Sequence, residues 1–435
     1  MALALAAPAA SSDRDSPGGA ANGGPVHAAD SVLRSLLSEA VKGNPEIRAA
    51  AREQDAASQR VSVAGALDDP MLEAGLLSVP TRSFSFSRED MTMKMLGLSQ
   101  RFPYPGKLEL RRQVAQGEAD VVAHAYRETV NRIVRDIKLA YLDLALVAQS
   151  LRAVTQNRAL VEQLLKLAEG RYAVAQAGQI DVLRAQTAFS RMTEELIRFE
   201  RERPVLEAEL NRLLGRSSSA PPLVPGELAL KQVTLARGSL YEQALRQRPQ
   251  LLSLQAMVAR SERALELARK ERYPDFDVRV SYGQRDSMPD GTPRSDLVSF
   301  TVAINLPVWR ETKVEPRIAE AQSRHEQALE IYEAQRNETA AKLRQQAVIA
   351  EQSARVARLY AGEIAPQAQL GVEAAAAAYQ VNRIEFAALL DNRMAVLNAE
   401  IARAAAVAAH NKALAEIDFL VGNAVADASD TRPAP

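Results

Sequence analysis

Apolar positions along the chain recur with two periods, and the switches between them are abrupt. Leu33, Leu36, Leu37, Ala40 and Val41 lie at helical spacing and stop before Asn44-Pro45, so they predict a helix. A second helix is predicted to about Ala66. Period two follows, most clearly in the second half. There Phe276, Val278, Val280 and Tyr282 alternate with Asp275, Asp277, Arg279 and Ser281. Val298, Phe300, Val302, Ile304 and Leu306 alternate with Leu297, Ser299, Thr301, Ala303 and Asn305. Four strands are expected, at 70–79, 91–103, 274–282 and 296–307, with the polar stretch "RDSMPDGTPRSD" as a hairpin tip. In "LSQRFPYPGKLELRR" strand becomes helix at once, because Pro103, Pro105 and Gly106 lock φ, withhold ladder donors and permit a sharp turn. The helix so opened is expected over 108–175, roughly 100 Å at about 1.5 Å per residue, with a return helix over 181–214.

The pattern occurs twice. "LLSEAVKGNPEIRAAA" resembles "LYEQALRQRPQLLSLQ", and their prolines give 249 − 45 = 204. The same shift carries Pro70 onto Pro274, Pro103 onto Pro307, and "VAQGEAD" onto "IAEAQSR". Later the offset drifts to 422 − 215 = 207, from "LNRLLG" to "IDFLVG". The expected organisation is therefore a first unit at 31–215, a linker at 216–237 and a second unit at 238–422. The second unit should repeat the long helical pair over 317–420. The ends, 1–30 and 423–435, read as disordered, and the opening "MALALAAPAASS" is compatible with a signal-peptide remnant.

Composition removes several classes of function. Lys plus Arg equals Asp plus Glu at 54 each, which argues against nucleic acid as a partner. No cysteine is present, so disulfides, thiolate metal sites and cysteine nucleophiles are excluded. His27, His124, His325 and His410 are scattered without metal-ligand spacing, and no phosphate or dinucleotide loop occurs. The chain reads as a non-enzyme without cofactor. No apolar run approaches the roughly 18 to 20 residues of a spanning helix.

The strands have the length of tilted transmembrane strands. Alternation alone is equally met by a soluble sheet packed on a core. The helices, however, are committed elsewhere by their length, which leaves the apolar face uncovered. Four strands cannot close a barrel in a membrane, where open edges would strand backbone polar groups. Two chains would give eight strands and a filled interior, whereas three give twelve and a usable lumen.

Several stretches carry a resemblance. "RYAVAQAGQIDVLRAQ" (171–186) and "AAYQVNRIEFAALLDNR" (377–393) are similar to the two helix-turn-helix tips of the TolC family of outer-membrane efflux proteins, with Ala175 and Asn382 where Gly is usual. The LLG and LVG endings fit as well, and "FPYPGKL" with the tips looks most like the heavy-metal efflux branch. The resemblance covers roughly 31–422 and implies a mainly α fold with a small β part. Long antiparallel coiled-coil helices would form an α-barrel in the periplasm, below a trimeric 12-stranded β-barrel in outer-membrane lipid. It implies an exit duct working with a periplasmic adaptor and an inner-membrane pump, of RND type, and heavy-metal cations as a candidate cargo. A type I protein-secretion duct shares the fold, and a soluble oligomeric coiled-coil scaffold is the reading outside transport.

Two sets of residues carry the expected chemistry. Asp181, Arg383, Glu385 and Asp391 fall at the tips, which in the family narrow the tunnel and contact the adaptor. Threefold rings of carboxylates would favour cations; the alternative is that Asp181 and Glu385 only begin the return helices, where negative charge suits the helix dipole. Met91, Met93 and Met95 form a stripe in the second strand, opposite the face expected to meet lipid. Thioethers are soft ligands for Cu(I) or Ag(I), and equally are flexible apolar filling.

Overall fold

Residues 25–233 and 237–423 are described by the computed structural model of the chain. Helices α1 (Pro25–Gly43) and α2 (Pro45–Ala64) meet at Asn44, whose side chain accepts from the amides of Glu46 and Ile47. Pro45 thus occupies the first turn, where its missing donor removes no helical bond. Strands β1 (Met71–Leu77) and β2 (Met93–Phe102) follow, then α3 (Lys107–Ala173) and α4 (Gln179–Leu214). An irregular strap, 216–233, leads to α5 (Arg237–Gln247), α6 (Pro249–Lys270), β3 (Phe276–Gln284) and β4 (Leu297–Ile304). Helices α7 (Glu315–Leu359), α8 (Ala365–Gln380) and α9 (Phe386–Val421) complete the described chain.

The halves use the same devices. Gly215 and Gly422 each end a helix at positive φ, against the turn that opens α2 or α6. A Cβ at either would lie 2.6 Å from the carbonyl of Gly43 or Gln247, so the two glycines are doubly required. The strands form one antiparallel sheet in the order β1-β2-β3-β4, and the β2–β3 ladder joins the halves.

Heptad spacing explains how helices of this length find burial. Val147, Val154, Val161 and Ala168 on α3 are buried seven residues apart, facing Ala185, Met192 and Phe199 on α4. Leu343, Ala350 and Ala357 on α7 repeat the spacing against α9. A seam of this period winds helices around one another and keeps small residues at close approach.

Two expectations are corrected. The second long helix opens from a π-helical turn at Arg310–Val314 and is interrupted by another at Tyr360–Ile364, with Pro316 and Pro366 just beyond them. Each proline lacks an N–H and its ring crowds the carbonyl four residues back, and the wider turn relieves that crowding. Helix α1 begins at Pro25, earlier than position 31. The ends expected to be disordered lie, at 1–24 and 424–435, outside the described residues.

Candidate functional site

The register sorts the sheet into two faces. Leu72, Leu96, Leu98, Val278, Val280, Tyr282, Val298, Phe300, Val302 and Ile304 share one face, since even positions pair with even across all three ladders. This apolar face is uncovered: Val298 is 75% and Phe300 69% exposed. The opposite face carries Glu73, Ser99, Asp277, Arg279, Ser281 and Thr301. Across it Arg279 pairs with Glu73 at 2.9 Å, spanning β2 beside Gly97. Among the described residues the outer edges of β1 and β4 have no neighbouring strand. Aromatic residues gather at both ends of the sheet, with Phe102, Tyr104, Tyr273 and Trp309 towards the helices and Phe84, Phe86 and Tyr282 at the far end.

The strand-to-helix join is a locked corner. Lys107, 5% exposed, donates through Nζ to Asp275 Oδ1 and to the Tyr273 carbonyl, both at 2.8 Å. Asp275 also accepts from the Tyr104 amide at 2.9 Å, and its own amide donates to Asn305 Oδ1. Burial works to raise the Asp275 carboxyl, but Lys107 and the Tyr104 amide outweigh it and hold the group below its usual value. Tyr104 and Tyr273 stack with centroids 4.5 Å apart. Gly106 turns at φ 87°, close enough to Lys270 that a Cβ would lie 2.7 Å from its Nζ. The three segments that enter and leave the sheet are thus tied together through Asp275 and Lys107.

At the other end of the helices the two hairpin tips meet. Both turn through one left-handed residue, Ala175 at φ 56° and Asn382 at φ 58°. The left-handed region is accessible to Asn and strained for Ala. Arg171, on the first tip, reaches the second: it donates to the Tyr379 carbonyl at 3.2 Å and to Asn382 Oδ1 at 2.5 Å, with its guanidinium 4.6 Å from the Tyr379 ring. Between the tips is a cavity of about 440 Å³, lined by Arg171, Asp181, Arg184, Tyr379, Glu385 and Phe386 among others. Arg184 lies 3.9 Å from Glu385.

The four tip residues anticipated from sequence separate into two pairs. Asp181, in the first turn of α4, and Glu385, the residue preceding α9, line the cavity, and neither helix start has a side-chain cap bond. Arg383 and Asp391 are exposed and lie outside the cavity lining, and no ion pair involves them among the described residues. The guanidinium groups at the cavity are those of Arg171 and Arg184, which sequence reading passed over. The signal was the asymmetry of the repeat: the 207 offset places Ala378 where the first tip has Arg171. Met93 and Met95 are on the polar face of β2, Met93 buried against Gly283, whereas Met91 lies in the turn before the strand. His325 bonds Ser261 at 2.9 Å, and burial holds His124 below its usual value. Among the described residues no group of three or more metal-ligating His or acidic side chains forms, and no helix is long and apolar enough to cross a membrane.

Comparison with known proteins places these features in context. A family model described as outer membrane efflux protein matches twice, over residues 36–216 and 240–423. The fold is similar to that of the outer membrane protein VceC from Vibrio cholerae, with TM-score 0.76 and 17% identity over 90% of this chain and 96% of that one. A membrane protein from Pseudomonas aeruginosa is similar at TM-score 0.78 and 19% identity, over 89% and 92% of the two chains. CusC, whose structures concern transmembrane channel formation, is similar at TM-score 0.73 and 15% identity, over 89% and 91%. Among curated proteins no sequence match is found.

Proposed function

The chain belongs to the outer membrane efflux protein family, whose members are transport channels and not enzymes, and from that premise we propose that three copies form one exit duct. In this reading the chain is two copies of one unit, each supplying a hairpin, and β4 of each protomer pairs with β1 of the next to close twelve strands. The observation that carries it is the sheet itself: one uncovered apolar face, one polar face and two unpaired edges. In hydrocarbon only a closed ladder satisfies such edges, and the aromatic residues at both ends fit the two interfaces of a bilayer. The polar face then lines the lumen, the Lys107–Asp275 corner joins barrel to helical tunnel, and the helices extend into the periplasm.

The tunnel would receive cargo from an inner-membrane pump through a periplasmic adaptor. Asp181 and Glu385, repeated threefold at the tip, would favour cations in the gate, and the outward Arg383 and Asp391 would meet the adaptor. Heavy-metal cations are the cargo class this reading prefers, supported by the carboxylates and by Met93 and Met95 on the lumen face. Size and mass measurement of the purified protein tests the assembly: detergent-dependent trimers are expected, and a monomer that remains soluble without detergent would refute it. Silver or copper tolerance conferred on a sensitive host with the adaptor and pump present tests the cargo, and no gain in tolerance would remove the metal reading.

A further inference from the structure

Helix α9 carries His410 where it packs between α7 and the strap, and the side chain is only 5% exposed. Its Nδ1 lies 2.8 Å from the carbonyl oxygen of Ala350 on α7, and its Nε2 lies 2.9 Å from the carbonyl oxygen of Lys231 on the strap. Carbonyl oxygens only accept. A neutral imidazole has one donor and one acceptor nitrogen, so it satisfies one of these contacts and turns a lone pair towards the other oxygen. The imidazolium donates at both. The adjacent Asn411 grips the same stretch, donating to the Ala229 carbonyl at 2.9 Å and accepting from the Lys231 amide at 3.4 Å. Leu228 and Leu230 pack on Ala357, Ala406 and Val407, and the Gly226 amide donates to the Tyr141 hydroxyl of α3 at 3.0 Å.

We propose that His410 is a proton-operated clasp: protonation of the ring fastens strap residues 229–231 to α7 and α9 together, and its loss slackens that hold. The packed elements carry other ionisable groups. Glu351, beside Ala350 on α7, and Lys231 on the strap each have interactions of their own. Glu227 of the strap lies 3.6 Å from Arg152 of α3. On α9, Lys412 pairs with Asp143 of α3, Glu416 lies 3.7 Å from Arg135, and Arg403 is exposed. Two carbonyl oxygens face the two ring nitrogens, and only the charged ring donates to both. The clasp has a mechanical position. Ala357, on which the strap packs, is one turn before the π-helical turn at Tyr360–Ile364, where α7 gives way to α8. A fastened strap braces that weak point, and a slack one frees it.

Hydrogen exchange read by mass spectrometry on the purified full chain in detergent tests the clasp. Peptides covering 224–233 are compared at about pH 5.5 and about pH 8, a span across which imidazole titrates, with rates corrected for intrinsic exchange and referred to α3. Protection of the Gly226 and Lys231 amides should be roughly tenfold higher at the acidic pH, the effect of one charge-assisted hydrogen bond on local opening. His410→Gln, which keeps a donor but does not titrate, should abolish the difference. Protection of the wild-type strap that does not change with pH would overturn the proposal without recourse to any variant. A pH difference that persists in folded His410→Gln would overturn it as well.

Discussion

Removing Arg171 should open the tip. Its side chain crosses between hairpins that are otherwise about two hundred residues apart, and Arg171→Ala deletes two hydrogen bonds and a ring contact. The site is only half-buried, so each charged hydrogen bond is discounted for solvent to the ordinary hydrogen-bond value of about 1 kcal/mol, and the ring contact is taken at about 0.5 kcal/mol. The sum, about 2 to 2.5 kcal/mol per chain, shifts the closed-to-open balance of one tip by roughly thirtyfold or more. Single-channel recording in planar bilayers measures it: Arg171→Ala should raise the open fraction and mean conductance strongly. Arg171→Lys should rescue little, because an ammonium cannot stack on Tyr379 while donating to two acceptors. Arg383→Ala, at an exposed position without an ion pair, should leave conductance unchanged and weaken adaptor binding. If Arg383→Ala opens the channel and Arg171→Ala does not, charge at the turn governs closure and the bridging argument is wrong.

Other outcomes follow from the same geometry. Ala175→Gly should steady the first tip, since the left-handed residue costs Ala about 1 to 2 kcal/mol and Gly returns roughly half of that through unfolded-chain entropy; slower hydrogen exchange confined to 171–181 would show it, and faster exchange would contradict it. Phe300→Arg or Val302→Arg should block barrel assembly at a cost of about 2 to 4 kcal/mol per chain, and normal insertion of either would reverse the assigned faces. Arg132 and Arg212 hold the Glu46 carboxyl below its usual value, the Arg132 hydrogen bond contributing most. The stability this contributes is therefore present above the ordinary carboxylate pKa and lost as pH falls through the depressed one. Glu46→Gln should flatten that acid loss in thermal melts while costing less than about 1 kcal/mol at neutral pH, because the pair is well solvated.

Much of the fold is legible because its period changes are sharp. Prolines at 70, 103, 274 and 307 bracket strands whose alternation survives in the register, and the Asn44-Pro45 break is the observed helix junction. The π-helical turns escape such reading, because an alanine-rich helix tolerates them and Pro366 alone does not distinguish a kink from an end. Site chemistry is less legible. Proximity to a turn selects Arg383, but which guanidinium crosses to the other tip depends on the packing of distant hairpins. Likewise Lys107 and Asp275 have no counterpart pair under the 204 shift, which carries them to Glu311 and Met71, so only the fold shows that they meet. In both cases the residue that breaks the repeat is the one that bridges it.

The central claim is that β4 of one copy pairs with β1 of the next. Moving the observed pair Ser99–Arg279 by the repeat offset gives 99 + 204 = 303 and 279 − 204 = 75, so Ala303 should face Gly75 of a neighbouring copy, on the lumen side. The two hairpins differ in register by two residues, since 276 + 304 − 71 − 99 = 410 where a strict 204 shift gives 408, so Glu73 and Leu77 are the flanking choices. The chain has no cysteine, so Ala303→Cys combined in turn with cysteine at 73, 75 or 77 gives a clean background. Mild oxidation of the purified protein, followed by non-reducing electrophoresis, should yield covalent dimers and trimers for at least one pair, and none for cysteines placed at 303 and 72. Folded protein that stays monomeric on the gel for all three pairs would contradict a closed, shared barrel.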